Sequence, residues 1–189
     1  MLVLESASSC GGTWAEHHLY PELKSNNMLG SYEYPDFPMS YGRYSIEENK
    51  HIPAATLHRY LTDYAKHFGV FERIHFHTKV DDIRLSYNGG WELTTSFDRG
   101  PKTLRTKKVI LATGLTSSAD IPVYEGQDSF KHSLFHAKYF CANADTLSTS
   151  NNAVINGARK SAFDVAFTYA NAGVEVDTVI WPDGNGPCF

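Results

Sequence analysis

The chain has 189 residues, of which 42% are hydrophobic and 13% aromatic, enough for one ordinary folded domain or for a domain and part of a second. This composition excludes a mainly disordered chain. The 17 basic and 21 acidic residues give a formal net charge of -4, and neither end of the chain is basic, so nucleic acid is not an expected partner.

The cysteine pattern and the absence of long apolar runs indicate the cellular compartment of the chain. Cys10, Cys141 and Cys188 form no C-x-x-C pair, which argues against a disulfide framework or a cysteine zinc site and favours a reducing compartment. No stretch approaches the roughly 20 apolar residues of a membrane span, and the start is too short for a signal peptide. We therefore expect a cytoplasmic chain without a membrane span.

The first third of the chain predicts a strand, a long loop and a helix. Residues 2–4 are fully apolar and indicate a buried parallel strand. Residues 15–53 contain four prolines and no clean period, which is typical of a packed loop. Apolar residues then recur at helical spacing from Leu57 to Phe68, and Gly69 follows as a stop. The spacing predicts a helix that buries Leu57, Leu61 and Phe68.

The middle of the chain predicts a small antiparallel sheet and a return to a buried strand. Short strands are expected at 74–80, 83–87, 91–97 and 103–106, because glycine-rich turns separate the last three of them. Residues 109–112 are again apolar and predict a strand that lies in one parallel sheet with residues 2–4. The helix that starts at Leu57 is expected to pack on that sheet.

The last forty residues predict a second unit. Strand, helix and strand patterns follow one another at 153–155, 161–172 and 176–180, with glycine at both turns. This order is that of a βαβ unit. The expected class is therefore α/β, with a partial doubly wound sheet, an antiparallel meander and the start of a second βαβ unit.

Three segments have the residue types of a nucleotide site, although each also has an ordinary structural interpretation. Glu5 ends the first strand, where a doubly wound fold holds a ribose hydroxyl, and a Gly-Gly turn follows at 11–12. Residues 112–114, Ala-Thr-Gly, are small enough for a chain that crosses close to a ligand. Gly157 to Ser161 opens a helix, where free N–H groups attract phosphate. An exposed acid, a plain turn and a helix start without ligand are the alternatives.

Nine histidines also raise the question of a metal site. His132 and His136 have i,i+4 spacing, but no adjacent Glu completes an H-E-x-x-H motif. No metal site is predicted.

Taken together and in this order, the motifs resemble the flavin-containing and Baeyer-Villiger monooxygenases, especially fungal FAD-dependent monooxygenase-like proteins of secondary metabolism. The resemblance covers nearly the whole chain. It is carried by Glu5, G-G-T-W at 11–14, Y-P-E-L-K-S-N-N at 20–27, Y-P-D-F-P-M at 34–39, H-I-P at 51–53, Y-L-T-D-Y-A-K-H-F at 60–68, T-K-V at 78–80, A-T-G-L-T-S at 112–117, F-x5-H at 130–136, K-S-A-F-D at 160–164 and G-N-G-P-C-F at 184–189.

The resemblance implies an enzyme that uses NADPH to reduce FAD and then oxygenates a small organic substrate in a dry pocket. It implies an FAD-binding-like domain over residues 1–150 and the start of an NADP-binding-like domain over 151–189. The implied FAD contacts are Glu5 at the ribose, Gly11, Gly12, Thr13 and Trp14 at the flavin, Val80 at the adenine end, and Ala112, Thr113 and Gly114 at the pyrophosphate. Asn26 would lie between flavin and nicotinamide as the catalytic residue, and Gly157, Lys160 and Ser161 would receive the NADPH phosphates.

The departures from the family pattern predict weak cofactor binding. The sequence contains no G-x-G-x-x-G loop, which the family places before the Glu5 strand, so we expect purification without stoichiometric FAD and an exposed sheet edge that favours a homo-oligomer. Arg159 crowds the phosphate turn, and Trp181 stands where the family has an arginine for NADPH. Glu22 and His132 also replace family glycines. A repurposed, flavin-independent binding protein or a non-redox cyclase or isomerase is the alternative function.

Overall fold

Short strands alternate with helices in a mixed α/β arrangement within a computed structural model that describes residues 1–96, 100–115 and 117–180. Contacts between residues divide the chain into two compact units. The first contains Met1–His17 and Ser25–Ser117, and the second contains His18–Lys24 and the described residues from Ser118 onward. In chain order the elements are β1 (Val3–Leu4), β2 (Lys24–Met28), α1 (Tyr41–Tyr44), β3 (His51–Pro53), α2 (Ala54–His67), β4 (Ile74–His75), β5 (Lys79–Leu85), β6 (Trp91–Ser96), β7 (Lys102–Thr106), α3 (Thr146–Thr149), β8 (Asn152–Asn156), α4 (Lys160–Asn171) and β9 (Glu175–Val179).

The first unit begins with a two-stranded parallel sheet, in which β1 pairs with β4. The pairing continues past the strands, because Glu5 N donates to His75 O at 3.0 Å and Thr78 N donates to Glu5 O at 2.8 Å. Strands β2 and β3 form a separate pair. The segment that was expected to be a loop from 15 to 53 therefore contains two strands and the one-turn helix α1.

Helix α2 supplies the core of the first unit. Its sequence has apolar residues at helical spacing, and Leu57 and Tyr60 are 0% and 1% exposed. They pack against side chains from the preceding segment rather than on a parallel sheet, so that part of the expectation is wrong. The core cluster consists of Phe37, Met39, Tyr44, Ile46, Ile52, Leu57 and Tyr60. The proline-rich segment thus folds over one face of α2 and buries it.

The predicted antiparallel meander is present as the sheet β5-β6-β7. Strands β5 and β6 pair antiparallel with an irregularity between Val80 and Asp82, and β6 and β7 pair antiparallel from Trp91↔Thr106 onward. Glycines at 89–90 and at 100 separate the strands as the sequence predicts.

The second unit contains the predicted βαβ arrangement. Strands β8 and β9 pair in parallel, and α4 connects them. One face of α4 is buried through Val165 and Tyr169, which pack with Phe140 and Val174. This face explains why a twelve-residue helix forms between two strands of only five residues each.

Two predicted features are wrong. Residues 109–112 do not form a strand, and Ile110 and Leu111 are 89% and 71% exposed. An apolar run becomes a strand only when a neighbouring strand pairs with its backbone, and the described residues provide no such neighbour. Phe68 is 45% exposed because it follows the last residue of α2, where the chain leaves the helical period, and its ring lies 4.8 Å from that of Tyr64.

The compact units divide between residues 117 and 118, whereas the cofactor domains are predicted to divide at residue 150. Residues before 150 join the second unit because Phe140 and Thr146 are buried there, and the Thr146 hydroxyl lies 2.5 Å from the Tyr169 hydroxyl. The predicted cofactor domains themselves stay a prediction. Among the described residues, no helix is both long and apolar enough to cross a membrane.

Candidate functional site

Glu5 lies directly after β1, as predicted, and is half-buried. Its backbone is held on both sides by the hydrogen bonds to His75 and Thr78. One carboxylate oxygen, Oε1, accepts from Ala7 N at 2.8 Å and from the Ser6 hydroxyl at 3.3 Å. The hydrogen bonds shown for the carboxylate all involve Oε1, so the Oε2 atom of this fixed carboxylate can accept a hydroxyl donor.

The predicted turn at 11–14 forms a tight 3₁₀ turn. Trp14 N donates to Gly11 O and Ala15 N donates to Gly12 O, each at 3.0 Å. Gly11 has φ 115, and a Cβ at this position would lie 3.1 Å from the Trp14 carbonyl oxygen. Gly12 has open space where a Cβ would project, and it is exposed together with Thr13. The turn therefore needs glycine at 11 and leaves its backbone accessible at 12.

Side chains of helix α2 hold this turn in place. Cys10 Sγ lies 3.2 Å from Thr62 Oγ1, and His58 Nδ1 lies 3.1 Å from the Trp14 carbonyl oxygen. The Trp14 indole N–H donates to the Tyr32 hydroxyl at 2.9 Å. The anchoring role of His58 and Thr62 could not be predicted from the sequence, because no local pattern links residues more than forty positions apart.

Asn26, the predicted catalytic residue, is exposed on β2. Its neighbours hold the strand in place: the buried Ser25 hydroxyl donates to the Asn27 carbonyl oxygen, and His51 Nδ1 lies 2.9 Å from the Ser25 carbonyl oxygen. The described residues show no hydrogen bond between Asn26 and Glu5 or the turn. Its catalytic role stays a prediction.

Val80 and residues 112–114 are the other residues that the resemblance assigns to FAD. Val80 is half-buried at the irregularity of β5, two residues after Thr78, which bonds to Glu5. Ala112, Thr113 and Gly114 are exposed. The segment before them covers the meander, where Ile83, Trp91, Val109 and Leu111 line a depression of about 250 Å³. Glu5 is therefore joined to Thr78, just before the strand that contains Val80, whereas among the described residues no hydrogen bond links residues 112–114 to Glu5.

The second unit contains the predicted phosphate turn. Gly157 has φ 145, and its N–H donates to the Val179 carbonyl oxygen at 3.0 Å, which joins the turn to β9. Arg159 is the exposed N-cap of α4, and Lys160 and Ser161 form the first helical turn. Their N–H groups belong to the set that has no acceptor within a helix. The turn can therefore offer backbone donors to an anion.

Tyr20 and Asp164, which belong to motifs of the resemblance but received no role from it, contact Lys160 of this turn or each other. Lys160 Nζ forms an ion pair with Asp164 Oδ2 one helical turn later, and the Tyr20 hydroxyl donates to the same Oδ2 atom at 2.7 Å. Burial, and then the hydrogen bond to Asp164, raise the pKa of Tyr20. The i,i+4 spacing of Lys160 and Asp164 on a predicted helix could have indicated their ion pair. The hydrogen bond from Tyr20 could not have been predicted in this way, because Tyr20 lies 144 positions away from Asp164.

The prediction about Trp181 and the match at 184–189 lie outside the described residues. His132, at a family glycine position, is exposed and its ring lies 5.6 Å from that of Phe130. In the described ranges, no group of three or more His, Cys, Asp or Glu side chains could hold a metal ion.

Comparison with known proteins gives consistent relatives over the whole chain. An FAD-dependent monooxygenase of Pyrenophora dematioidea is 37% identical over 99% of this chain and 36% of its own length. An FAD-dependent monooxygenase of Aspergillus sclerotiorum is 34% identical over 99% of this chain and 33% of its own length. The chain therefore spans about a third of the length of these curated relatives.

Solved structures share the fold. Tmm from a Pelagibacter species superposes with a TM-score of 0.76 at 21% identity over 97% of this chain and 46% of that protein. The closed form of cyclohexanone monooxygenase gives 0.73 at 24% identity over 95% and 33%. OTEMO, solved with FAD and NADP, gives 0.75 at 22% identity over 95% and 34%. At these identities the likeness shows the fold alone.

The family model for pyridine nucleotide-disulphide oxidoreductases matches residues 3–184, which is nearly the entire sequence. The strand that precedes Glu5, the meander and the second strand-helix-strand unit all lie within this match. The chain belongs to the pyridine nucleotide-disulphide oxidoreductase family.

Proposed function

We propose that this chain forms the FAD- and NADPH-binding part of a flavin-dependent monooxygenase that oxygenates a small organic substrate. The observation that carries the proposal is the similarity over 99% of the chain to proteins named FAD-dependent monooxygenases, at 34% and 37% identity. The geometry of Glu5 and of the two glycine turns is compatible with it.

The first unit fits an FAD ribose and ring. Glu5 has one carboxylate oxygen committed to the backbone, which fixes the side chain, and its second oxygen is available for a ribose hydroxyl. Gly12 and Thr13 present an exposed turn that α2 holds rigidly. Val80, Asn26 and the segment Ala112–Gly114 are assigned to FAD by the resemblance, and these assignments are part of the proposal.

The second unit fits the phosphates of a pyridine nucleotide. Lys160 and Ser161 offer backbone N–H groups at the start of a twelve-residue helix, whose dipole favours an anion there. When bound, NADPH would supply hydride to FAD, and reduced FAD would supply the electrons for oxygen. The part of this chain is to bind and orient both nucleotides.

The biological setting is also part of the proposal. The resemblance of the sequence motifs to fungal FAD-dependent monooxygenase-like proteins is the basis for proposing a role in secondary metabolism, and we propose that the protein works in the cytoplasm. Strand β1 pairs only with β4 in the described sheets, so we propose a homo-oligomer formed at this open edge. Size-exclusion chromatography with light scattering tests this, and a monomer at all concentrations would contradict it.

The cofactor proposal is tested by titrating the purified protein with FAD. We expect a dissociation constant above about 1 μM, because no G-x-G-x-x-G loop is present to hold the pyrophosphate. Glu5→Gln should weaken binding about tenfold, since a charge-assisted hydrogen bond contributes roughly 1.5 kcal/mol or more. Glutamine still accepts the Ala7 N–H, so the fold is retained.

Glu72→Gln is the matched control, because Glu72 is an exposed carboxylate in the 3₁₀ turn Phe71–Arg73. It should leave FAD binding unchanged. A protein that does not bind FAD at all, or one in which both variants bind it as tightly as the wild type does, would contradict the proposal.

A further inference from the structure

The ion pair between Lys160 and Asp164 lies in the first turns of α4, next to the Gly157–Ser161 turn that the proposed function assigns to phosphate. Lys160 is the first residue of α4 and Asp164 follows one turn later, with side chains that are 34% and 28% exposed. A phosphate at the turn would approach the same ammonium group that Asp164 already holds. The Asp164 carboxylate and the phosphate would therefore compete for the Lys160 ammonium.

Helix stability does not explain this arrangement. A lysine at the N-terminus of a helix opposes the helix dipole, and an acid C-terminal to a lysine at i,i+4 is the less favourable order. On an isolated helix, even a well-ordered i,i+4 ion pair contributes only about 0.5 kcal/mol or less. The pair is thus poorly suited to stabilise α4, and a role in the neighbouring turn accounts for it better.

Tyr20 fixes the carboxylate in its competing position. Its hydroxyl donates to Asp164 Oδ2 at 2.7 Å, and its ring packs edge-on against the buried Phe140 with 5.6 Å between ring centroids. The phenol is protonated at neutral pH and donates to the carboxylate, and burial together with this hydrogen bond raises its pKa further. Asp164 is thereby held at Lys160 by a side chain that is itself anchored in the core of the second unit.

We propose that Asp164 is a positioning residue that lowers the affinity of the Gly157–Ser161 turn for the phosphates of NADPH, by holding the Lys160 ammonium in an ion pair. The inference rests on the proposed function, which assigns this turn to NADPH. It adds a residue that sets the strength of binding. Wild-type protein should accordingly bind NADPH with a dissociation constant above about 1 μM.

The test is a double-mutant cycle read out by NADPH fluorescence. Asp164→Asn keeps an acceptor for Tyr20 and removes the charge, so it should tighten NADPH binding about fivefold at low salt. Lys160→Gln should weaken binding. In the Lys160→Gln background, Asp164→Asn should change the dissociation constant less than about twofold. The tightening should shrink as salt is raised to about 0.3 M.

Circular dichroism confirms folding of each variant, and Asp164→Ala replaces Asp164→Asn if the latter does not fold. Equal or weaker NADPH binding by the Asp164 variant overturns the inference and leaves the proposed function standing. So does tightening that persists in the Lys160→Gln background, because the carboxylate would then act on the phosphate directly. Unchanged binding by Lys160→Gln also overturns it. NADPH that binds to none of the proteins contradicts the proposed nucleotide site itself.

Discussion

Gly90 is the residue whose identity is most tightly constrained in the hairpin between β5 and β6. It has φ 81, and a Cβ there would lie 2.5 Å from the Thr106 carbonyl oxygen, which is backbone and cannot rotate away. Its neighbour Gly89 has φ 82, but a Cβ would meet nothing within 4 Å. A side chain at either position would suffer the same strain from the left-handed backbone. Only at Gly90 would it also clash with a neighbouring atom.

We expect Gly89→Ala to lower the free energy of unfolding by about 1 kcal/mol, which is the cost of a left-handed alanine. Gly90→Ala should cost about 2 kcal/mol more, because β7 must move to admit the methyl group. Urea unfolding monitored by tryptophan fluorescence measures both. Equal losses would show that the hairpin accommodates the extra atom freely.

At the scale of elements, the buried Tyr60 hydroxyl is one of the groups that join α2 to the preceding segment. The Tyr60 hydroxyl donates to the Phe37 carbonyl oxygen at 2.7 Å and accepts from Tyr34 N at 2.7 Å. Tyr60→Phe leaves both backbone groups without this partner. The free energy of unfolding should fall by about 1 to 3 kcal/mol.

Tyr41→Phe is the matched control, because Tyr41 is 65% exposed. It should change the free energy of unfolding by less than about 0.5 kcal/mol. Chemical unfolding of the two variants beside the wild type makes the comparison. A Tyr60→Phe variant as stable as the control would mean that water replaces the hydroxyl at no cost.

At the scale of the whole molecule, stability should fall at alkaline pH through buried tyrosines. Burial, and then the neighbouring Asp63 carboxylate, raise the pKa of Tyr44 to about 12 from 10.0, and its hydroxyl lies 3.1 Å from Asp63 Oδ2. The folded state holds the Tyr44 proton more tightly than the unfolded state does. The contribution of protonated Tyr44 to the free energy of unfolding is therefore complete below pH 10 and is lost as the pH rises from 10 towards 12.

The loss attributable to Tyr44 is about 2 to 3 kcal/mol. Urea unfolding between pH 9 and about 12 measures it. Tyr44→Phe should remove this share of the pH dependence, while Tyr20 and Tyr60, whose pKa values are also raised, still contribute theirs. An unchanged slope in the variant would show that Tyr44 ionises equally well in both states.

Local patterns in the sequence were sufficient for α2, the meander and the β8-α4-β9 unit. In each case the period of apolar residues and the glycines at the turns act within about ten residues, so the element forms from neighbours along the chain. The resemblance to flavin-dependent monooxygenases could also be found in the sequence, because it depends on the order of motifs and not on contacts. It points to the same kind of protein that the named relatives are.

Tertiary structure alone decided the features that depend on distant partners. Residues 109–112 are as apolar as a strand, but a strand needs backbone groups to pair with, and the segment lies instead beside Ile83 and Trp91. Phe68 is exposed because the helix ends before it. The hydrogen bond that joins Tyr20 to the Lys160–Asp164 pair spans 144 positions, and no periodic pattern encodes which buried acceptor a distant hydroxyl will reach.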